Sequence, residues 1–281
     1  MATIAHLSDL HFGRHDSAVV AALEAWLPKR KPDLVVVSGD LTQRARVEQY
    51  RQACEFLDRL EGQGLSVLAV PGNHDVPLYD IVRRFTRPLK RYKKFIDEDL
   101  CPYWESDQLA VLGLNTARSL TLKDGSISRE QLKLIEQRFE NAGDRLCVLV
   151  THHPVAATPI AEEGGLITTA KRGPDAIRAA ANAGVDLLLA GHFHRSHAAQ
   201  HVEEAGEHVE KVGRALVVQA GTAASTRLRG GEPQSFNWIE AFPDGIELTV
   251  ETWDGSGFRP GPETRFTHDN RSWRPVEGEW V

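Results

Sequence analysis

Cysteine is scarce in this 281-residue sequence: Cys54, Cys101 and Cys147 are odd in number and widely scattered. That pattern excludes a disulfide framework and a paired-cysteine metal knuckle, and a reducing cytoplasm is the expected compartment. Long apolar runs are missing too. None approaches the roughly 18 residues that a membrane-spanning helix needs. Near the N-terminus His6, Asp9 and His11 interrupt the stretch where a secretory leader would be continuously apolar. The chain also lacks an excess of basic residues. With a formal charge of -6 it has no overall attraction to nucleic acid or anionic lipid, so only a local patch could recognise either, and nucleic acid is not an expected partner.

What remains is an ordinary globular balance, 41% hydrophobic and 26% charged, in a length that suits one large or two small domains. Strand-type runs at 2–7, 34–37, 66–70, 109–114, 146–150 and 186–189 alternate with helical periodicity at 17–29, 47–61, 129–141 and 174–183. This alternation predicts an α/β layered fold with helices flanking a buried sheet, and Pro174 in the first turn of its helix. After Gly191 the pattern is strands alone, at 197–203, 208–212, 215–219, 236–242 and 246–253, which read as a second sheet. The expected division is one domain over 1–253 and a C-terminal extension over 254–281, rich in Gly, Pro, Arg and Trp without periodicity. Two insertions break the regularity. Residues 76–108 read as a mostly helical cap carrying Arg83, Arg84, Arg87, Lys90, Arg91, Lys93 and Lys94, and 154–173 as a loop of functional length.

The chemistry sits immediately after the strands: Asp9-Leu10-His11, Gly39-Asp40, Gly72-Asn73-His74-Asp75, His152-His153 and Gly191-His192-Phe193-His194. Each alone would read as a turn or a helix cap. Five in order, each closing a predicted strand, converge on one spot, because sites in open α/β sheets form at the carboxyl ends of strands. Imidazoles, carboxylates and one carboxamide, with no thiolate, suit Mn, Fe, Zn or Co. Seven ligands exceed one tetrahedral ion. Two ions roughly 3.5–4 Å apart, sharing a carboxylate, accommodate them and can clamp both oxygens of a phosphoryl displacement.

The ordered set DxH, GD, GNH, H and GHxH resembles the calcineurin-like metallophosphoesterases over about residues 3–222. Its GNHD and GDLT forms resemble most the class III cyclic nucleotide phosphodiesterases and related bacterial phosphodiesterases. The resemblance implies a four-layer α/β/β/α sandwich with two mixed sheets flanked by helices. It also implies two divalent or mixed-valence metal ions and hydrolysis of a small-molecule phosphodiester by a metal-bridging hydroxide. Asp9, His11 and His194 would hold the first ion, Asp40 would bridge, and Asn73, His152 and His192 would hold the second. His74 would face the phosphoryl oxygens and protonate the leaving group, with Asp75 orienting it.

Only one of His152 and His153 can be the ligand. His152 is favoured because it follows its strand through Thr151, which leaves His153 to support the ligands or face substrate. Arg44 occupies the place of a phosphate-binding arginine in the protein-phosphatase branch, although the intervening Leu41-Thr42-Gln43 is unlike that branch. The alternatives are a phosphomonoesterase, a nucleotide-sugar-lipid pyrophosphate hydrolase and a metal-free binding scaffold. His74, where the pyrophosphate hydrolases carry arginine, counts against the second, and the complete ligand set against the third. The basic run 83–94 reads either as a solvated helical face or as a cap that meets an anionic substrate or makes a peripheral membrane contact.

Overall fold

Strand side chains point alternately to opposite faces, and here both faces are apolar. The computed structural model describes residues 1–120, 124–156, 169–200, 215–228, 231–268 and 273–276. In β1 (Ala2–Leu7), Ile4 enters one apolar cluster while Ala5 and Leu7 enter another. β2 (Leu34–Val37) divides Leu34 and Val36 from Val35 and Val37 in the same way. β5 (Leu109–Leu114) and β6 (Leu146–Thr151) repeat the pattern, with Val111, Val148 and Val150 joining the cluster that holds Ile4. That shared cluster is therefore the interior between two sheets.

Two further apolar clusters cover the outer faces. On the first sheet pack α1 (Ser17–Arg30), through Val19, Leu23 and Leu27, and α2 (Val47–Glu61), through Tyr50, Phe56 and Leu60. On the second pack α5 (Arg129–Phe139) and α6 (Gly173–Asn182), through Ile135, Phe139, Ala176 and Ile177. Local signals set the starts of these helices: Asp16 accepts from the Ala18 amide, Ser128 and Gln131 form a capping box, and Pro174 occupies the first turn of α6. The result is the expected α/β/β/α sandwich.

The seven-stranded sheet runs β13-β12-β11-β10-β1-β2-β3, with β3 at Val67–Ala69, β10 at Ser235–Phe242, β11 at Gly245–Trp253, β12 at Phe258–His268 and β13 at Trp273–Pro275. The six-stranded sheet runs β4-β5-β6-β7-β9-β8, with β4 at Tyr103–Glu105, β7 at Leu187–Ala190, β8 at His197–Gln200 and β9 at Leu216–Gln219. Both are mixed.

Two expectations are corrected. The strands after Gly191 do not form a sheet of their own. β9 lies parallel to β7 in the second sheet, whereas β10 pairs antiparallel with β1 in the first, from Ala2↔Ala241 to His6↔Asn237, and so covers an edge that β1 would otherwise expose. Nor is the segment after Asp254 a separate extension, since β12 and β13 complete the first sheet. The strand expected at 208–212, the end of the one at 197–203 and most of the loop at 154–173 lie outside the described residues. The insertion at 76–108 contains α3 (Ile81–Thr86), α4 (Lys90–Phe95) and the edge strand β4. Among the described residues no helix is long and apolar enough to cross a membrane.

Candidate metal centre

Five parallel strands, β1, β2 and β3 in one sheet and β6 and β7 in the other, end at the same rim of the sandwich. Backbone bonds tie their loops together, with the Asp9 amide donating to the Gly39 carbonyl at 3.1 Å, the His11 amide to Asp40 at 2.9 Å and the Gly191 amide to His152 at 3.1 Å. Asp9, His11, Asp40, His192 and His194 all have positive φ, between 49° and 78°. That left-handed region is sparsely used by residues other than glycine, and each such residue costs about 1–3 kcal/mol. Among the described residues, five of the eight non-glycine residues found there are expected ligands. The conformation turns each loop back, so that its side chains face inward. Two glycines permit the crowding: a Cβ on Gly72 would strike the Asp40 carboxylate and amide, and one on Gly191 would strike the Ser8 hydroxyl.

All seven expected ligands come together. His11 Nε2 lies 3.4 Å and His194 Nε2 3.3 Å from Asp9 Oδ1. Asp40 reaches both halves of the cluster, with Oδ2 3.6 Å from His11 Nε2 and Oδ1 3.4 Å from His152 Nε2. Asn73 Oδ1 lies 3.1 Å from both His152 Nε2 and His192 Nδ1. Among the described residues, ligand atoms within 4.8 Å of one another group as Asp9 with His11 and His194, as Asp40 with Asp9 and His152, as Asp40 with His11 and His74, and as His152 with His153 and His192.

The donor set fits cations. Asp9 Oδ1 and both ring nitrogens of His11 are fully buried without a hydrogen-bond partner. His152 Nδ1 meets the Ser38 carbonyl at 2.8 Å, which assigns the proton of the neutral ring to Nδ1. Nε2 then turns a lone pair toward the Asn73 and Asp40 oxygens, and a positive ion satisfies such a convergence of electron pairs.

Electrostatics point the same way. Burial alone would raise the Asp9 and Asp40 carboxyls, but His194, His11 and His152 around Asp9, and His152, His74 and His11 around Asp40, more than offset it and hold both below the usual range. Burial opposes protonation of His11, yet Asp9 and Asp40 outweigh it and raise that ring. Burial, and then the adjacent His152, lowers His192 to about 3, leaving it a neutral ligand. Cavity size does not identify the site. A cavity of about 600 Å³ opens at the opposite ends of the strands, beside Met1, Leu146 and Phe242.

Of the two adjacent histidines, His152 Nε2 meets the Asn73 and Asp40 oxygens, while His153 Nδ1 meets Thr116 Oγ1 at 2.8 Å and its ring lies 4.8 Å from that of His192, with a ring nitrogen within 4.8 Å of those of His152 and His192. His74 is half-buried beside the cluster, its ring 4.8 Å from His11 and its amide donating to Asp40 Oδ1 at 2.8 Å. Its ring is oriented by the Gln43 carbonyl, 2.8 Å from Nδ1, and not by Asp75. Asp75 instead accepts from the amides of Leu41, Thr42 and Gly72 and from the Thr42 hydroxyl, at 2.9–3.1 Å, and so fastens the Asp40 loop to the Asn73 turn. Three donors from the neighbouring loop and one from its own turn use up the carboxylate. Burial and the charge of Asp40 raise its pKa to about 6. Arg44 is exposed, its guanidinium 5.2 Å over the Tyr79 ring.

Sequence reasoning missed the residues that hold the ligands. Ser8 Oγ donates to Asp9 Oδ2 at 2.7 Å, and Thr222 Oγ1 lies 2.7 Å from His194 Nδ1. Thr222 follows β9, so the rule that located the other strand ends would have found it. His6 lies buried beneath the centre against Ser38 Oγ at 2.9 Å, and burial pushes its pKa down to about 3.

The sequence profile of the calcineurin-like phosphoesterases matches residues 2–196. A probable cyclic nucleotide phosphodiesterase of Synechococcus sp. is 27% identical over 205 residues, 69% of this chain and 74% of that protein. A glycerophosphodiester phosphodiesterase (GpdQ) of Enterobacter lignolyticus is 27% identical over 222 residues, 68% of this chain and 70% of that protein. Among solved structures, purple acid phosphatase PPD1 from yellow lupin superposes with a TM-score of 0.72 at 11% identity. That match covers 96% of this chain and 54% of the phosphatase, so the chain spans about half its length, and the likeness is one of fold.

Proposed function

Because the chain belongs to the calcineurin-like phosphoesterase family, we propose that it is a dinuclear metal-dependent hydrolase of small-molecule phosphodiesters, working in the cytoplasm. The observation that carries the reading is Asp40, whose two oxygens face His11 on one side and His152 on the other. Asp9, His11 and His194 hold one ion and Asn73, His152 and His192 the other, with Asp40 between them. The donor types suit Mn, Fe, Zn or Co. When bound, the pair supplies charge neutralisation at the phosphoryl oxygens and an activated water.

The chain's own contribution beyond the ligands is His74. With Nδ1–H donating to the Gln43 carbonyl, the protonated ring would carry its second proton at Nε2 and would give that one to the departing alcohol oxygen. Asp75 acts by position, fixing the Asp40 and Asn73 loops against each other. The named activities of the two relatives support a diester over a monoester substrate.

Metal content per chain, measured together with hydrolysis of an aryl phosphodiester and an aryl phosphomonoester in added Mn, tests the proposal. Two ions and diester turnover are expected, with turnover abolished in Asp40→Asn. In His74→Gln kcat should fall by about 10²–10⁴ at unchanged metal content. Turnover of the monoester alone would move the protein to the phosphomonoesterases, and failure to take up metal would leave the scaffold reading.

A further inference from the structure

The surface that follows the Asn73–Asp75 turn is built inside out. In α3 the buried residue is Arg84, whose Nε donates to the Ser119 carbonyl at 2.8 Å and whose guanidinium also reaches the Pro77 carbonyl at 3.1 Å. Its apolar neighbours Ile81, Val82 and Phe85 point outward, 67%, 75% and 56% exposed. Leu78 and Tyr79 precede them, 44% and 71% exposed, and Leu120, 87% exposed, follows the Ser119 that Arg84 holds. Among the described residues these six make up most of the nine large apolar side chains that are exposed, so they form a patch and not a scatter.

Charge surrounds the patch. From residue 80 to 96 there are seven arginines and lysines and one acidic residue, Asp80, which pairs with Arg83 at 3.2 Å; Arg84 is buried, and Arg87, Lys90, Lys93 and Lys94 are exposed. Arg87, Lys90 and Lys93 open onto a cavity of about 400 Å³ that Arg118 also lines and no acidic residue does. The patch borders the metal centre: Tyr79 lies under Arg44, next in sequence to the Gln43 that orients His74.

Exposed apolar side chains interleaved with cations match a leaflet of anionic phospholipid, where hydrocarbon can bury the first and headgroup phosphates can pair with the second. A second copy fits less well. A two-fold contact through this face would set the exposed Arg87, Lys90, Lys93 and Lys94 against the same four cations. We propose that the face formed by Leu78, Tyr79, Ile81, Val82, Phe85 and Leu120, with its basic rim, docks on an anionic lipid surface and so presents the metal centre to it.

Co-sedimentation of the full chain with vesicles tests this, using phosphatidylcholine alone and phosphatidylcholine with phosphatidylglycerol. Binding to the anionic vesicles, weakened by 0.5 M salt, is expected. Either I81S/V82S/F85S or K90E/K93E should reduce it about tenfold or more, while circular dichroism and turnover of a soluble aryl phosphodiester stay as in the wild type. Two outcomes overturn the proposal: no binding to anionic vesicles, or equal binding by wild type and both variants. A concentration-dependent dimer abolished by I81S/V82S/F85S, without vesicle binding, would assign the face to self-association instead. Docking and aryl diester turnover are read separately, so loss of one does not obscure the other.

Discussion

At the scale of single residues, the cluster of histidines and carboxylates was legible in the sequence and its supports were not, because the cluster follows strand ends whereas the supports come from remote segments. The Thr222 hydroxyl reaches His194 across 28 residues and the Ser38 carbonyl reaches His152 across 114. A hydrogen bond to the far nitrogen fixes ring orientation and basicity, and losing it typically costs about 10–100-fold in metal affinity. Thr222→Val, nearly isosteric, should weaken metal binding by that factor without altering secondary structure, as metal titration would show; unchanged affinity would mean that the hydroxyl does not tune His194. His6 gives a pH prediction. Its folded pKa of about 3 lies below the unfolded value of 6.5, so the unfolded chain binds the extra proton between them, and stability is present above pH 6.5 and lost as pH falls toward 3. Between pH 7.5 and 5.5 this one group should remove about 1.4 kcal/mol of stability. Denaturant unfolding at the two pH values should show a change that is more destabilising on acidification by that amount in the wild type than in His6→Gln, which keeps His192 and Asp75.

At the scale of elements, the short turn Asn73–Asp75 is the least self-sufficient piece of the site, too short to hold its own shape. It is held from outside, by the amides that donate to the Asp75 side chain and by Tyr50 of α2, whose hydroxyl donates to the Asp75 carbonyl at 2.7 Å in a fully buried setting. Tyr50→Phe keeps the packing and strands that carbonyl, which should cost about 1–3 kcal/mol of unfolding free energy. It should also lower kcat through misplacement of His74, and a variant equal to the wild type in both would show that the turn does not need α2. The elements themselves differ in how plainly they can be read. β1, β2, β5 and α2 have the expected bounds because their apolar period is unbroken. β12 went unread because Pro260-Gly261-Pro262 interrupts its alternation beside a register shift at Thr249/Glu251. The allocation of strands to sheets was hidden for another reason, since pairing β10 with β1 is decided by which edge needs cover and not by chain order.

At the scale of the whole molecule, three apolar layers hold two sheets in a fixed relation so that loops from both meet at one rim, and what they bring together is not at ease without a cation. Asp9 and Asp40 are buried, both held in their charged forms, with buried nitrogens and oxygens beside them lacking hydrogen-bond partners. The two carboxylates lie close together in a region shut off from water, and a positive ion bound among them would add to what the imidazoles already supply. Binding to the native state alone adds RT ln(1 + [L]/Kd), about 2.7 kcal/mol at a hundredfold excess over Kd. For a chain of this size that gain corresponds to a rise in thermal midpoint of roughly 5–10 °C. Thermal unfolding after chelation, then with Mn, Zn or Co restored, should show that rise. Asp40→Asn sharpens the test, because it removes one of the two charges and one of the ligands together. Stripped of metal, the variant should unfold at or below the temperature of the stripped wild type, because the imidazoles around Asp40 favour its charged form. With metal present the gap should widen, since the variant has lost the carboxylate that serves both halves of the cluster. If metal left the wild-type midpoint unchanged, or raised both proteins equally, the buried carboxylates would be serving the fold and not a cation.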